Sequence, residues 1–74
     1  MYFAVTATKF NGKRFENLDN KQELEEFSQK VIKLNFNKLT VKAYNEQGFV
    51  KQIDYILNPQ NDTLDKKKVI LKNK

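Results

Sequence analysis

The chain contains neither cysteine nor histidine in its 74 residues. Without these side chains, no disulfide and no zinc site of the usual ligand type can supplement its hydrophobic core. A chain of this length buries only about 60% of the surface that it exposes when unfolded, so the fold must be built around one small core. We expect residues 1–74 to form a single domain in which most large apolar side chains are needed for that core.

The same absence limits the chemistry that the chain can perform. Histidine titrates near neutral pH, and cysteine is the strongest intrinsic nucleophile and the main soft metal ligand. The acidic residues lack the loop spacing of an EF-hand, and the two glycines stand apart, so no glycine-rich phosphate loop is present. We therefore expect a non-enzymatic binding protein without catalytic residues, cofactor, metal or small-molecule substrate.

The net charge is +5, carried by thirteen lysines and one arginine. A basic surface attracts polyanions such as nucleic acid. The alternative is that the charge reflects composition, because lysine, asparagine, phenylalanine and tyrosine are the residues that A/T-rich genes encode. Arginine forms the better bidentate contacts with phosphate and guanine, and it occurs only at Arg14. The sequence leaves both explanations open.

The chain begins with a hairpin pattern. Residues 2–9 alternate between apolar and polar side chains, which predicts a strand with one face toward the core. An Asn-Gly turn signal follows. A two-residue loop there would set a charge beside the core, whereas a three-residue loop with Gly12 in the left-handed region pairs Ala7 with Phe15. We favour the second register, which places the next strand at residues 13–17.

Residues 20–34 predict an amphipathic helix. Its apolar side chains recur at spacings of three and four residues, at Leu24, Phe27, Val31 and Leu34, with Ile32 at the flank. Its N-terminal cap is Asp19 or Asn20, with Gln22 or Glu23 as the capping-box partner.

A second hairpin is expected over residues 38–57. A three-residue loop ending at a left-handed Gly48 aligns two independent alternations. The predicted cross-strand pairs are Asn45–Phe49, Lys42–Gln52, Val41–Ile53, Thr40–Asp54 and Leu39–Tyr55.

Residues 58–62 are a loop, because proline and asparagine cluster there. Residues 66–71 predict a last strand in which Val69 and Leu71 point inward, and a flexible basic tail from about residue 66 is the alternative. The expected fold is α+β, with one helix on a four- or five-stranded, mainly antiparallel sheet in the order ββαββ(β). If the last strand joined beside the first, the arrangement would resemble a ubiquitin-type β-grasp, an architectural resemblance that implies no function.

Three basic segments are candidate contact surfaces for nucleic acid or a protein partner. The outward face of the second hairpin carries Lys38, Thr40, Lys42 and Tyr44, and lysines interleaved with an aromatic ring can follow a phosphate backbone and stack a base. The tip of the first hairpin carries Lys9, Phe10, Lys13 and Arg14. The end of the chain carries Lys66, Lys67 and Lys68, which also suit the protection of an edge strand from aggregation.

We expect either a nucleic-acid or other polyanion partner, or a protein partner. In the second case the chain is an interaction module, as a homodimer or as an adaptor or inhibitor of a larger protein, using the outer hairpin face with Tyr44, Val50 and Ile56 or a free strand edge. No apolar stretch approaches the roughly 20 residues of a membrane span, and the sequence after Met1 is strand-like. We therefore expect a cytoplasmic protein without a membrane partner.

Overall fold

The computed structural model describes residues 2–58, 60, 61 and 63–71. Five strands form one antiparallel sheet in the order β2-β1-β3-β4-β5, and a single helix packs on one face of it. The elements are β1 (Tyr2–Lys9), β2 (Gly12–Leu18), α1 (Lys21–Lys33), β3 (Lys38–Asn45), β4 (Gly48–Asn58) and β5 (Thr63–Leu71). The predicted α+β class and element order are confirmed, with the last segment as a strand through Leu71.

The last strand does not lie beside the first. It pairs with β4 at the sheet edge, and β1 lies between β2 and β3. Residues 59–62 connect β4 to β5 directly, and four residues are too few to carry the chain across β3 to a position next to β1. The β-grasp arrangement is therefore not formed.

The core lies between α1 and the middle of the sheet. Alternate side chains of β1 and β3 pack against the helix, and the buried residues there include Phe3, Val5, Ala7, Leu39, Val41 and Ala43 beneath Phe27 and Val31. The inner faces of β4 and β5 are less covered. Val69 and Leu71 point to the inner side as predicted, opposite Ile53 and Lys51, but the core does not bury them, and Val69 is 45% and Leu71 63% exposed.

The helix is capped at both ends. Asn20 is the N-cap, and its Oδ1 accepts a hydrogen bond from the Glu23 N–H at 2.9 Å. At the other end Asn35 has a φ of 59°, and the Phe36 N–H donates to the Val31 carbonyl at 3.2 Å, as in a Schellman motif. This stop turns Leu34, predicted to lie in the core, toward solvent and buries Phe36 in its place.

The register of the first hairpin differs from both predicted alternatives. Lys9 pairs with Gly12 across a loop of two residues, and Ala7 pairs with Arg14 instead of Phe15. Phe15 and Leu18 are three positions apart, so they cannot both face the core. The structure buries Leu18 opposite Phe3 and leaves Phe15 on the other face, 71% exposed.

The second hairpin has the predicted register through most of its length. The pairs from Leu39–Tyr55 to Lys42–Gln52 are confirmed, and Gly48 has a φ of +110°. Near the loop the prediction is wrong, because Asn45 pairs with Gly48 instead of Phe49. The structure has a two-residue loop, and a β-bulge at Val50 restores the predicted register from Ala43–Lys51 onward. Val50, expected on the outer face, packs against the core because of this bulge.

Candidate functional site

The sheet presents two different faces. We call the side under α1 the inner face and the opposite side, which carries the even-numbered residues of β1 and their cross-strand partners, the outer face. In the part of the chain that the structure describes, no helix or second sheet layer covers the outer face. An open face of five strands is about 19 Å wide, from four strand spacings of about 4.8 Å.

An aromatic cluster stands at one end of the outer face. The rings of Tyr2 and Tyr44 stack with centroids 5.0 Å apart and planes 9° from parallel. Phe49 meets Tyr44 edge-on, with centroids 5.9 Å apart. The bulge at Val50 produces this contact, because it places Phe49, rather than Val50, opposite Tyr44. Tyr2 remains 44% exposed, so the cluster offers aromatic surface to a ligand.

Lysines flank the aromatic cluster on the same face. Lys42 lies two positions from Tyr44 along β3, opposite Ala4 on one side and Gln52 on the other. Lys38 lies four positions further along the same strand, about 13 Å away at 3.3 Å per residue. These two ammonium groups and the tyrosine pair form a line along β3, the central strand of the sheet.

The centre of the outer face is polar and internally hydrogen-bonded. Asp54 accepts hydrogen bonds from Thr40 Oγ1 at 3.0 Å and from Gln52 Nε2 at 3.2 Å. Lys68 lies opposite Asp54 on β5. Lys38 and Lys42 are both exposed, and neither forms an ion pair within the part of the chain that the structure describes.

A shallow depression of about 480 Å³ lies on the outer face between β2 and β3. Phe15 and Asn17 line one side of it, and Lys42 and Tyr44 line the other. The depression is therefore bordered by an exposed phenyl ring and by an ammonium group.

The structure brings together some of the sequence-predicted contact residues and separates others. On the outer face lie Lys13, Lys38, Thr40, Lys42, Tyr44 and Lys68. Phe10 is at the hairpin tip and 99% exposed, and Lys67 is the unpaired bulge residue of β5. Three others lie on the inner side: Lys9 has its Nζ 4.7 Å from the Phe36 ring centroid, Arg14 pairs with Glu16 at 3.6 Å, and Lys66 lies opposite Tyr55.

Phe15 and Phe49 belong to this surface but were not expected there, and Tyr2 was not among the predicted contact residues. The alternation of β1 indicates that Tyr2 is on the outer face, yet only the pairing of β1 with β3 joins it to Tyr44. The bulge at Val50 and the shifted first hairpin, which bring Phe49 and Phe15 to the same face, have no clear signal in the sequence.

A groove also runs along the inner face beside the helix. It has a volume of about 370 Å³ and lies between α1 and β4, with Leu24, Val41, Ile53 and Tyr55 among its lining residues. Lys21, Glu25 and Lys51 surround it with charge. The groove exists because the helix covers β1 and β3 but leaves β4 partly open.

The described residues provide no constellation for metal chemistry. They contain no group of three or more acidic side chains arranged to hold a metal ion. Near the loop between β4 and β5, Asp65 accepts a hydrogen bond from Asn58 Nδ2 at 3.2 Å, and Asp62 lies outside the described residues. Among the residues that the structure describes, no helix is long and apolar enough to cross a membrane.

The outer face is suited to contact planar rings and negative charge at the same time. Aromatic side chains stack on nucleobases, and ammonium groups pair with phosphates. The inner groove also has an aromatic ring, Tyr55, and two lysines, but Glu25 lies among them and the stacked ring pair is on the outer face. Comparison with known protein families, curated proteins and solved structures finds no match to this chain.

Proposed function

We propose that this protein is a small, non-enzymatic binding protein that holds single-stranded nucleic acid across the outer face of its sheet. The observation that carries the proposal is the stacked Tyr2–Tyr44 pair beside Lys42 on an uncovered sheet face. Bases stack on the aromatic cluster, and the backbone runs along β3 past Lys42 and Lys38.

The shape of the surface favours a single strand over a duplex. The major groove of B-DNA is about 12 Å wide and admits a helix or a two-stranded ribbon. A five-stranded sheet about 19 Å wide cannot enter it. The bases of a single strand are free to turn toward the protein, and stacking on an aromatic side chain contributes about 1–3 kcal/mol per base.

The aromatic cluster also favours nucleic acid over other polyanions. A sulfated polysaccharide can pair with the lysines but has no aromatic ring to stack on Tyr2 or Tyr44. Heparin is therefore the reference ligand, because it measures the contribution of charge without stacking.

The test is fluorescence anisotropy of labelled, mixed-sequence DNA and RNA single strands at low salt. We expect an affinity that falls steeply with salt, and each lost phosphate contact lowers the slope of log K against log salt by about 0.7. Lys42→Gln should reduce that slope. Tyr2→Ala should weaken binding to single strands about 5- to 100-fold and leave heparin binding unchanged.

Lys51→Gln is the matched control. Lys51 is exposed and lies on the strand next to Lys42, but on the inner face. The substitution therefore removes the same charge from the same sheet without changing the proposed binding surface. Equal losses of affinity for Lys42→Gln and Lys51→Gln would show that binding depends only on the net charge of the protein. Undetectable binding of the unmodified protein at low salt would overturn the proposal.

A further inference from the structure

The two outermost described strands, β2 and β5, differ in how well each could pair with a copy of itself. The middle of β5 is Lys66, Lys67 and Lys68. A full-length antiparallel pairing of β5 with a second β5 would set these lysines against one another. Lysines of this kind protect an edge from association.

Strand β2 is self-complementary about its central residue. When two copies of Gly12–Leu18 run antiparallel with Phe15 on a two-fold axis, Arg14 of each copy lies opposite Glu16 of the other. Lys13 then lies opposite Asn17. The two Phe15 rings meet on the outer face, where each is 71% exposed in the single chain.

Neighbouring registers are disfavoured by charge. A continuous sheet requires paired residues to point to the same face, so the axis can move only by whole residues. Moving it to Arg14 sets that arginine against itself, and moving it to Glu16 sets two carboxylates together. Like charges directly opposite each other destabilise a strand pair, so the register centred on Phe15 is the favoured one.

The Glu16 carboxylate fits the same pairing. The Glu16 side chain is 40% exposed, its Oε2 accepts no hydrogen bond within the described chain, and its ion pair with Arg14 Nε is 3.6 Å long, beyond good hydrogen-bond distance. Opposite residues on antiparallel strands have Cβ atoms about 4.5–5.5 Å apart. Arg14 of a second copy would thus bring additional donors to this carboxylate.

The helix is consistent with such an arrangement. The hollow between β2 and α1 is lined by Glu23 and Glu26 from the first half of the helix and by Lys30 from the second half. The two-fold axis reverses the second helix. The two helices of the dimer therefore run in opposite directions, so their acidic and basic halves are reversed relative to each other.

From these observations we propose that the protein forms a homodimer by antiparallel pairing of two β2 strands centred on Phe15. The dimer has a continuous ten-stranded sheet, and it joins the two outer faces into one surface. The proposal is independent of nucleic-acid binding, since it concerns the strand edge and its test measures mass.

Sedimentation equilibrium over a range of protein concentrations provides the first test. We expect a mass that rises from 8.8 kDa to twice that value. Arg14→Glu alone and Glu16→Arg alone should each weaken dimerisation about tenfold or more, because two attractive cross-strand pairs become repulsive. The double variant Arg14→Glu/Glu16→Arg should restore it. Lys66→Glu is the matched charge reversal on the other edge and should leave the dimer intact.

A disulfide cross-link provides a test that does not depend on dimer strength. The chain has no cysteine, so Phe15→Cys introduces a single thiol. Directly opposite residues fall within the 4.4–6.8 Å Cα separation of a disulfide, so mild oxidation with diamide should link two chains. In the proposed register the two copies of residue 17 are about 14 Å apart, and Asn17→Cys should not cross-link.

Circular dichroism verifies that each variant is folded. A folded protein that keeps a mass of 8.8 kDa up to millimolar concentration would overturn the proposal. A dimer that survives Arg14→Glu but dissociates with Lys66→Glu would also overturn it, because association would then use β5. Equal cross-linking of the cysteines at positions 15 and 17 would refute the register.

Discussion

The register of the first hairpin can be tested by two truncations in β2. Leu18 is 7% exposed and lies opposite Phe3 in the core, whereas Phe15 is 71% exposed on the outer face. The structure therefore predicts that Leu18→Ala is costly and that Phe15→Ala is nearly neutral for folding. The register favoured from the sequence, with Phe15 inward, predicts the opposite order.

The expected difference is large enough to measure. Truncating a buried leucine costs about 2–5 kcal/mol, and Leu18 at the margin of the core should fall near the lower end, at about 2–3 kcal/mol. A domain of this length has a total stability of about 4–11 kcal/mol. Leu18→Ala should thus lower Tm by about 10–20 °C. Phe15→Ala should change the free energy of unfolding by no more than about 0.5 kcal/mol.

The assay is urea and thermal unfolding followed by circular dichroism at about 1 μM protein, a concentration chosen to limit the contribution of self-association. Phe15→Ser is a useful companion, because it removes the ring and adds a polar group that only an exposed site tolerates. A larger loss of stability for Phe15→Ala than for Leu18→Ala would refute the observed register and the exposed position of Phe15.

Three further changes test other local features by the same unfolding measurements. Gly48→Ala should destabilise the protein by about 1 kcal/mol or more, because Gly48 has a φ of +110°. Gly12→Ala should be neutral or slightly stabilising, because Gly12 has no positive φ and open space around it. Equal effects would contradict the loop geometry. Asn20→Ala should cost about 1 kcal/mol and Asn20→Asp much less, since the cap needs a side-chain oxygen for the Glu23 N–H; no loss for Asn20→Ala would argue against the cap. Phe36→Ala should cost about 3–5 kcal/mol, and a loss below 1 kcal/mol would show that Phe36 is outside the core.

Local patterns in the sequence predict most of the elements but not how they pair at a distance. The helix follows from apolar spacing and from Asn20, and the register of β3 with β4 follows from two alternations that agree. The first hairpin could not be predicted in the same way, because its loop signal allowed two registers and the choice between them placed Phe15 in the core, where the structure places Leu18. The burial of Phe36 depends on the αL residue Asn35, which the helical periodicity does not indicate.

The candidate site was also predictable only in part, because it is assembled by the pairing of strands that are distant in sequence. Strand alternation places Lys42 and Tyr44 on one outward face, and the structure shows them there. Tyr2 is more than forty positions away in sequence, and only the pairing of β1 with β3 brings its ring to 5.0 Å from Tyr44. The inner groove depends on how far the helix extends over the sheet, a packing property that the sequence pattern does not express.

The most direct test of the central claim is an NMR titration with a short single-stranded oligonucleotide at low salt, observing side chains rather than backbone amides. Backbone shifts identify a strand but not its face, whereas ring and methyl signals distinguish the two. If nucleic acid binds on the outer face, the ring signals of Tyr2 and Tyr44 shift and added salt reverses the change, while the methyl signals of Leu24 and Ile53 in the inner groove do not move. Unchanged tyrosine rings, or shifts confined to the groove methyls, would contradict binding on the outer face.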